Sequence, residues 1–310
     1  MPWRKLGRIF EPGGGFGFIR SYAQVPTALV FSDRIRVYFA TRPRPGLSLP
    51  TFVDLDRNDI SKIISVCDRP ILNLGAPGTF DADGVMPSCA IRHGDRILLY
   101  YSGWCKLGGA APYNNATGVA ASDDGGTTFT RLFQGPILDR SPEEPWSATS
   151  PTVIHDGARW HMWYSSGTAW VEIDGKFEHE YILKHATSED GIAWARSAKG
   201  VVPLLHPHES QTRPTILRDD AGWRMWFSFR GSHGFRTSGE TYRLGHARSS
   251  NLIDWTRCDL EAGIDVSSEG WDSQMICYPD VIVLDRHAVM FFNGNNFGTT
   301  GFGAAVLEPD

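Results

Sequence analysis

The chain has 310 residues, 41% of them apolar and 12% aromatic, with 33 Gly and 19 Pro: enough to bury a sizeable core, and far from a low-complexity composition. A net charge of −5 leaves no basic excess to neutralise a nucleic-acid backbone, which argues against a nucleic-acid partner. No apolar stretch reaches the roughly 18–20 residues that span a bilayer, and Cys67, Cys89, Cys105, Cys258 and Cys277 lack metal-ligand spacing, so reduced thiols in a cytoplasmic, membrane-free protein are expected.

In chain order, the opening segment Trp3-Arg4-Lys5-Leu6 is similar to two later ones, Phe129-Thr130-Arg131-Leu132 and Trp194-Ala195-Arg196-Ser197. A repeat then organises the chain. Pro26, Pro87, Pro151, Pro214 and Pro279 stand 61, 64, 63 and 65 residues apart, and each opens a short apolar run. Proline is tolerated at a strand's first residue, where its missing N–H costs least. Each run meets a turn signal: Ser32-Asp33, His93-Gly94-Asp95, Asp156-Gly157, Asp219-Asp220 and Asp285-Arg286. A second run, rich in aromatic and β-branched residues, ends 14 or 15 residues beyond the proline, at Ala40, Ser102, Ser165, Ser228 and Asn293. This is an antiparallel hairpin repeated five times.

A third element recurs as a strand of small residues, a polar turn and an aromatic, at Ala120 to Phe129, His185 to Trp194 and His246 to Trp255. A fourth short strand follows each. The first repeat carries a degenerate version from Phe52 to Ile64, and the fifth shows no fourth strand before Asp310. The N-terminal segment is expected to supply that strand, closing the array and removing its open edge. The predicted fold is all-β: a five-bladed β-propeller forming a single domain over residues 1–310, with four antiparallel strands per blade.

In such a blade the first strand lines a central channel and the second runs back, so first-strand starts and second-strand ends share one rim. The segments Tyr101-Ser102-Gly103-Trp104, Met162 to Gly167 and Met225-Trp226-Phe227-Ser228 resemble blades of the five-bladed propeller glycoside hydrolase superfamily. That superfamily includes arabinanases, invertase- and levansucrase-type fructosidases and mannoside phosphorylases. Two further segments, Phe80 to Ser88 and Gly294 to Gly303, are similar to glycosidase-like proteins linked to bacterial polysaccharide biosynthesis. The resemblance implies a carbohydrate-active protein. It departs at the catalytic triad: arabinanase-type members place Asp immediately before the first-blade proline, where Val25 stands, and just after the second-blade proline, where Ser88 stands. Ser150 and Arg213 precede the third and fourth prolines. The triad is not carried over.

Sugar hydrolysis uses two carboxylates flanking the scissile bond. The rim offers Asp83 and Asp272 as first candidates, then Glu180 (beside Glu178) and Glu209, each weighed against a turn, a cap or a solvated hairpin face. The fourth repeat is the most basic, with Arg213, Arg230, His233, Arg236 and Arg243. Arginine forks suit phosphate and carboxylate oxygens, unless neighbouring carboxylates occupy them. Trp104, Trp146, Trp170 and Trp271 are candidate sugar platforms, with Gln24, Tyr278, Asn293 and Asn295 as further binding residues. Neither metal spacing nor a phosphate loop is present, so no cofactor is expected. Three readings follow for a small carbohydrate or sugar-phosphate ligand: glycoside hydrolysis by rim carboxylates, phosphorolysis or cleavage of a sugar phosphate or nucleotide sugar, and sugar binding without catalysis.

Overall fold

The computed structural model describes residues 2–236, 240–285 and 287–308; Arg286 of the expected Asp285-Arg286 turn, and Asp310, lie outside them. Strand β1 (Trp3–Phe10) opens the chain. Four meanders follow: β2 (Gln24–Val30), β3 (Arg34–Thr41), β4 (Leu49–Asp56) and β5 (Ile63–Val66); β6 (Gly84–His93), β7 (Arg96–Lys106), β8 (Tyr113–Ser122) and β9 (Thr130–Arg131); β10 (Ala148–His155), β11 (Trp160–Ile173), β12 (Lys176–Ser188) and β13 (Ala195–Gly200); and β14 (Glu209–Asp219), β15 (Gly222–Gly231), β16 (Arg243–Ser249) and β17 (Thr256–Arg257). The last group is β18 (Cys277–Leu284), β19 (His287–Asn293) and β20 (Phe302–Leu307), and β1 pairs antiparallel with β20 from Trp3↔Leu307 to Phe10↔Phe302. Helix among the described residues is confined to Asp259–Glu261 and Asn295–Gly298. The Phe52 to Ile64 half of the first repeat, degenerate in sequence, still forms an antiparallel pair, β4 and β5, with a register shift between Asp54 and Leu55.

Period-2 alternation explains why the second strands read as continuous apolar runs: both of their faces are buried between sheets. In β7, Leu99 and Tyr101 pack with Tyr38 and Phe52 of the preceding group, while Leu98 and Tyr100 pack with Trp160, Met162 and Tyr164 of the next. In β11, Trp163 turns the opposite way, onto Met225 and Phe227. In β15, Trp226 faces Met290 and Phe292, and in β19 Phe291 joins Phe10, Phe39 and Phe302. The apolar core is therefore a set of wedges between neighbouring sheets.

The first strands lie side by side in the order β2, β6, β10, β14, β18 and back to β2. Each is interrupted at its proline by a break in pairing register. The residue before the proline adopts a left-handed backbone at Val25 (φ 58°), Ser150 (φ 53°), Arg213 (φ 50°) and Tyr278 (φ 57°). This conformation is strained for any side chain and most for β-branched Val25. A side chain in the second half of a neighbouring group's second strand secures three of these kinks. Asn293 Oδ1 accepts the Val25 N–H at 2.8 Å, Ser102 Oγ accepts that of Ser150 at 2.9 Å, and Ser228 Oγ accepts that of Tyr278 at 2.8 Å. Ala40, near the end of β3, has no such oxygen, and Met86 is the pre-proline residue without a positive φ.

Arg213 fills the centre of this ring. Its guanidinium is almost completely buried and donates to the Pro26 carbonyl (3.2 Å), Thr27 Oγ1 (3.0 Å), Thr152 Oγ1 (3.3 Å) and Asp280 Oδ1 (3.3 Å). The other Asp280 oxygen accepts the Ala28 N–H at 2.7 Å. Burial lowers the Arg213 guanidinium and raises the Asp280 carboxyl, and their mutual attraction opposes both shifts. Removing one partner of such a pair strands a buried charge. Arg213→Ala is expected to lose about 3–5 kcal/mol of stability, read from the denaturant midpoint. A loss below about 1 kcal/mol would show that the guanidinium does not tie the strands together.

Candidate functional site

On the side of the ring where the first strands begin lies a cavity of about 380 Å³, at the low end of the roughly 300–1,000 Å³ typical of small-molecule sites. All five pre-proline residues, Val25, Met86, Ser150, Arg213 and Tyr278, form part of its lining. At Val25, Ser150, Arg213 and Tyr278 the left-handed kink turns the residue toward the cavity. Ser88, Ser102, Thr149, Ser165 and Thr212 surround them with hydroxyls. The walls come from longer excursions: Tyr22 before β2, Arg42 after β3, Trp104 on β7, and Glu178, His179 and Tyr181 on the extended β11–β12 hairpin.

The walls are cationic. Arg42, Arg213, Arg230 and Arg236 all line the cavity, and Glu178 is the one carboxylate among the described lining residues. Arg236 grips Glu178 with both arms of its fork, at 2.7 and 3.0 Å, and Arg213 is paired with Asp280. Arg42 and Arg230 have no carboxylate partner among the described residues. Arg42 lies over the Tyr22 ring, 3.9 Å from its centroid, and reaches Gln24 Oε1 at 3.5 Å. Buried Arg230 donates to the carbonyls of His179 (2.7 Å) and Gly231 (2.9 Å) and to the Tyr242 hydroxyl (3.3 Å), with its guanidinium 3.7 Å from the Phe235 ring centroid. Tyr242 is hydrogen-bonded to Tyr181, and burial raises its hydroxyl well above the ordinary range. His179 stacks on Trp170 with ring centroids 4.4 Å apart; burial, then the neighbouring Arg230 charge, lowers it to about 3, so the imidazole is neutral.

Of the residues nominated from sequence, Gln24, Trp104, Arg213, Arg230, Arg236 and Tyr278 come together in this lining, and so does Glu178, weighed there beside Glu180. The four nominated carboxylates lie outside it. Asp83 accepts the Lys106 N–H at 2.8 Å and pairs with Lys106 Nζ at 3.1 Å; the backbone hydrogen bond holds its carboxyl below the usual range. Asp272 is buried against Lys5 Nζ (2.6 Å) and Ser267 (3.1 Å), tying β1 to the loop before β18. Glu180 accepts from His208 Nδ1 at 2.9 Å. Glu209 is buried between Arg257 (2.6 Å) and Gln211 (2.9 Å).

Trp170 contributes through His179 rather than by lining the cavity. Trp146 is exposed beside it, and Trp271 stacks on Phe292 against Gly294 and Gly303, where a Cβ would strike the indole. Asn293 is the kink anchor described above, and Asn295 caps the backbone N–H groups of Gln274 and Met275. Arg243 is engaged by Asp265 and the Gln274 carbonyl. Cavity residues that the sequence did not nominate include Tyr22, Tyr113, His179, Tyr181 and Tyr242. The pre-proline positions carried a signal for the floor; the wall residues carried no motif, and Tyr113, His179 and Tyr181 lie on third strands ahead of their small-residue runs.

The all-β architecture with stacked sheets is that of propeller-type glycoside hydrolases. Solved structures of similar fold include one described as "Glycoside hydrolase" (TM-score 0.75, 17% identity, covering 99% of this chain and 92% of that one) and a glycosyl hydrolase from Bacteroides ovatus (TM-score 0.72, 11%, 99% and 94%). Another is described as "The GH130 family of mannoside phosphorylases contains glycoside hydrolases that target beta-1,2 mannosidic linkages in Candida mannan" (TM-score 0.70, 12%, 99% and 94%). No family model matches the chain. Two proteins of Mycobacterium tuberculosis, "Uncharacterized protein Rv1502" of strain H37Rv and "Uncharacterized protein MT1551" of strain CDC 1551, are each 37% identical over 310 residues, covering 99% of this chain and all of theirs. The chain belongs to the family of these mycobacterial proteins.

His179 and His185 are both kept neutral, at about 3 and about 4, chiefly by burial. The unfolded chain protonates its histidines near pH 6.5. Between pH 6.5 and 5 it therefore takes up protons that the folded chain refuses, and stability falls with pH by up to about 1.4 kcal/mol per pH unit for each histidine. His179→Phe, which keeps a ring on Trp170, is expected to flatten that slope by one proton's worth in denaturant titrations across this window. An unchanged slope would mean that His179 is not held neutral.

Proposed function

We propose that the chain is a carbohydrate-active, single-domain five-bladed propeller whose cavity accepts a small carbohydrate bearing phosphate or carboxylate. The observation that carries this reading is the pair of cavity arginines, Arg42 and Arg230, without carboxylate partners among the described residues. A guanidinium fork in a partly dry cavity favours planar or tetrahedral oxyanions far more than neutral hydroxyls. Adjacent aromatic rings supply faces for a sugar. The resemblance to glycosidase-like proteins of polysaccharide biosynthesis supports a role in glycan synthesis in the cytoplasm. No helix among the described residues is long and apolar enough to cross a membrane.

The reaction class best supported is transfer to phosphate. Hydrolysis by two carboxylates requires a pair in the cavity, and Glu178 stands without a second one there among the described residues. Inorganic phosphate held by Arg42 and Arg230 would supply the nucleophile itself. Its oxygen bonds to the anomeric carbon as the glycosidic C–O bond breaks, and protonated Glu178 gives its proton to the departing oxygen. Half-exposed Arg236 must swing off Glu178 for that carboxyl to hold a proton.

The test is a thermal-shift comparison of neutral sugars, uronic acids, sugar phosphates and nucleotide sugars, with and without phosphate. Anionic compounds are expected to raise Tm by roughly 4 °C at a hundredfold excess over Kd, and neutral sugars to leave it unchanged. Arg42→Ala is expected to weaken the anionic hit roughly tenfold to a hundredfold. Response to neutral sugars alone would overturn the reading. In turnover assays, phosphate dependence lost in Glu178→Gln supports phosphorolysis. Phosphate-independent turnover abolished in Asp83→Ala or Asp272→Ala would instead restore hydrolysis by the rim carboxylates, and binding without turnover would leave a sugar-binding propeller.

A further inference from the structure

Away from the cavity, at the outer part of the fourth group, three potential metal ligands of different chemistry converge. His246 on β16 is completely buried and directs Nδ1 at Cys258 Sγ, 3.1 Å away. Glu261 Oε2 lies 4.0 Å from the same nitrogen, and all three ligand atoms fall within 4.8 Å of one another. We propose that His246, Cys258 and Glu261 bind a divalent transition metal of the zinc class.

The ligand set and its spacing carry the proposal. Zinc takes sulfur at about 2.3 Å and nitrogen or oxygen at about 2.0–2.2 Å, so a tetrahedral ion spreads its ligand atoms roughly 3.3–3.8 Å apart. The observed 3.1 and 4.0 Å lie on either side of that range, within reach of side-chain adjustment alone. The backbone already holds the three residues together. The Cys258 N–H donates to the His246 carbonyl at 2.8 Å, the Glu261 N–H to the Cys258 carbonyl at 2.9 Å, and the His246 N–H to Asp259 Oδ1 at 3.1 Å. Glu261 is half-exposed and Cys258 partly so, which leaves a way in for the ion and a fourth position for water.

The repeat does not impose this pairing. In the third group the corresponding histidine, His185, turns to His161 Nδ1 at 3.0 Å, and the residue matching Cys258 is Ser197. Arg248 is bound to Glu261, so a guanidinium sits beside the carboxylate the ion would take. Metal binding must displace it, and the Cys258 thiol proton leaves to solvent as the S–metal bond forms.

Cobalt(II) is the probe, titrated into the full-length reduced chain, because a thiolate ligand produces a sulfur-to-cobalt charge-transfer band. One equivalent is expected to bind with that band, and zinc to displace it. Cys258→Ser should remove the band, Glu261→Gln should weaken binding about tenfold, and Arg248→Gln should tighten it several-fold by freeing Glu261. Circular dichroism establishes that each variant is folded. No charge-transfer band in the folded wild type, or a band that persists in folded Cys258→Ser, overturns the site.

Discussion

A single guanidinium holds the centre of this protein. Arg213 reaches from β14 to oxygens on β2, β10 and β18, and so links four of the first strands that surround it. A ring of strands that contact mainly through side-chain wedges has few main-chain hydrogen bonds between sheets; β8 and β10 share a single parallel pair, Ala116 and Ala148. A charge buried among oxygens from several strands restores what the sheets do not provide, because its desolvation is compensated only when all of those strands are in place.

The same positions that support the ring also furnish the cavity. Val25, Ser150, Arg213 and Tyr278 each sit at a break in strand register, where a left-handed backbone turns the residue toward the cavity floor. Such kinks are costly by themselves. They persist because Asn293, Ser102 and Ser228 reach across from neighbouring strands to take the N–H groups that the kinks free. Cavity shape and inter-sheet cohesion are thus set by one device. Substitutions at these second-strand positions therefore act on both.

Charge is distributed by the same logic. Most rim carboxylates are engaged in architecture: Asp272 fastens β1, Glu209 anchors Arg257, and Asp83 holds Lys106. The cavity is left with an excess of guanidinium, in a chain whose net charge is negative. Buried Arg230 satisfies its hydrogen bonds with carbonyls and a phenol, which keeps the cation in place without neutralising it. An arrangement of this kind stores positive potential for an incoming anion.

The proline period, the polar turns and the apolar second runs made the strands and their grouping legible, since strand periodicity and turn chemistry are local properties of the chain. The likeness of Trp3-Arg4-Lys5-Leu6 to Phe129-Thr130-Arg131-Leu132 pointed even to where the N-terminal strand pairs. Which charges face the cavity was not legible in that way. Asp83, Asp272, Glu180 and Glu209 are carboxylates near the rim in sequence, yet Lys106, Lys5, His208 and Arg257 claim them in space, and those partners stand 23, 267, 28 and 48 residues away. The tyrosines around Arg230 carry no motif. Whether a charge is available to a ligand depends on what stands next to it, and that neighbour is chosen by the closure of the chain in three dimensions.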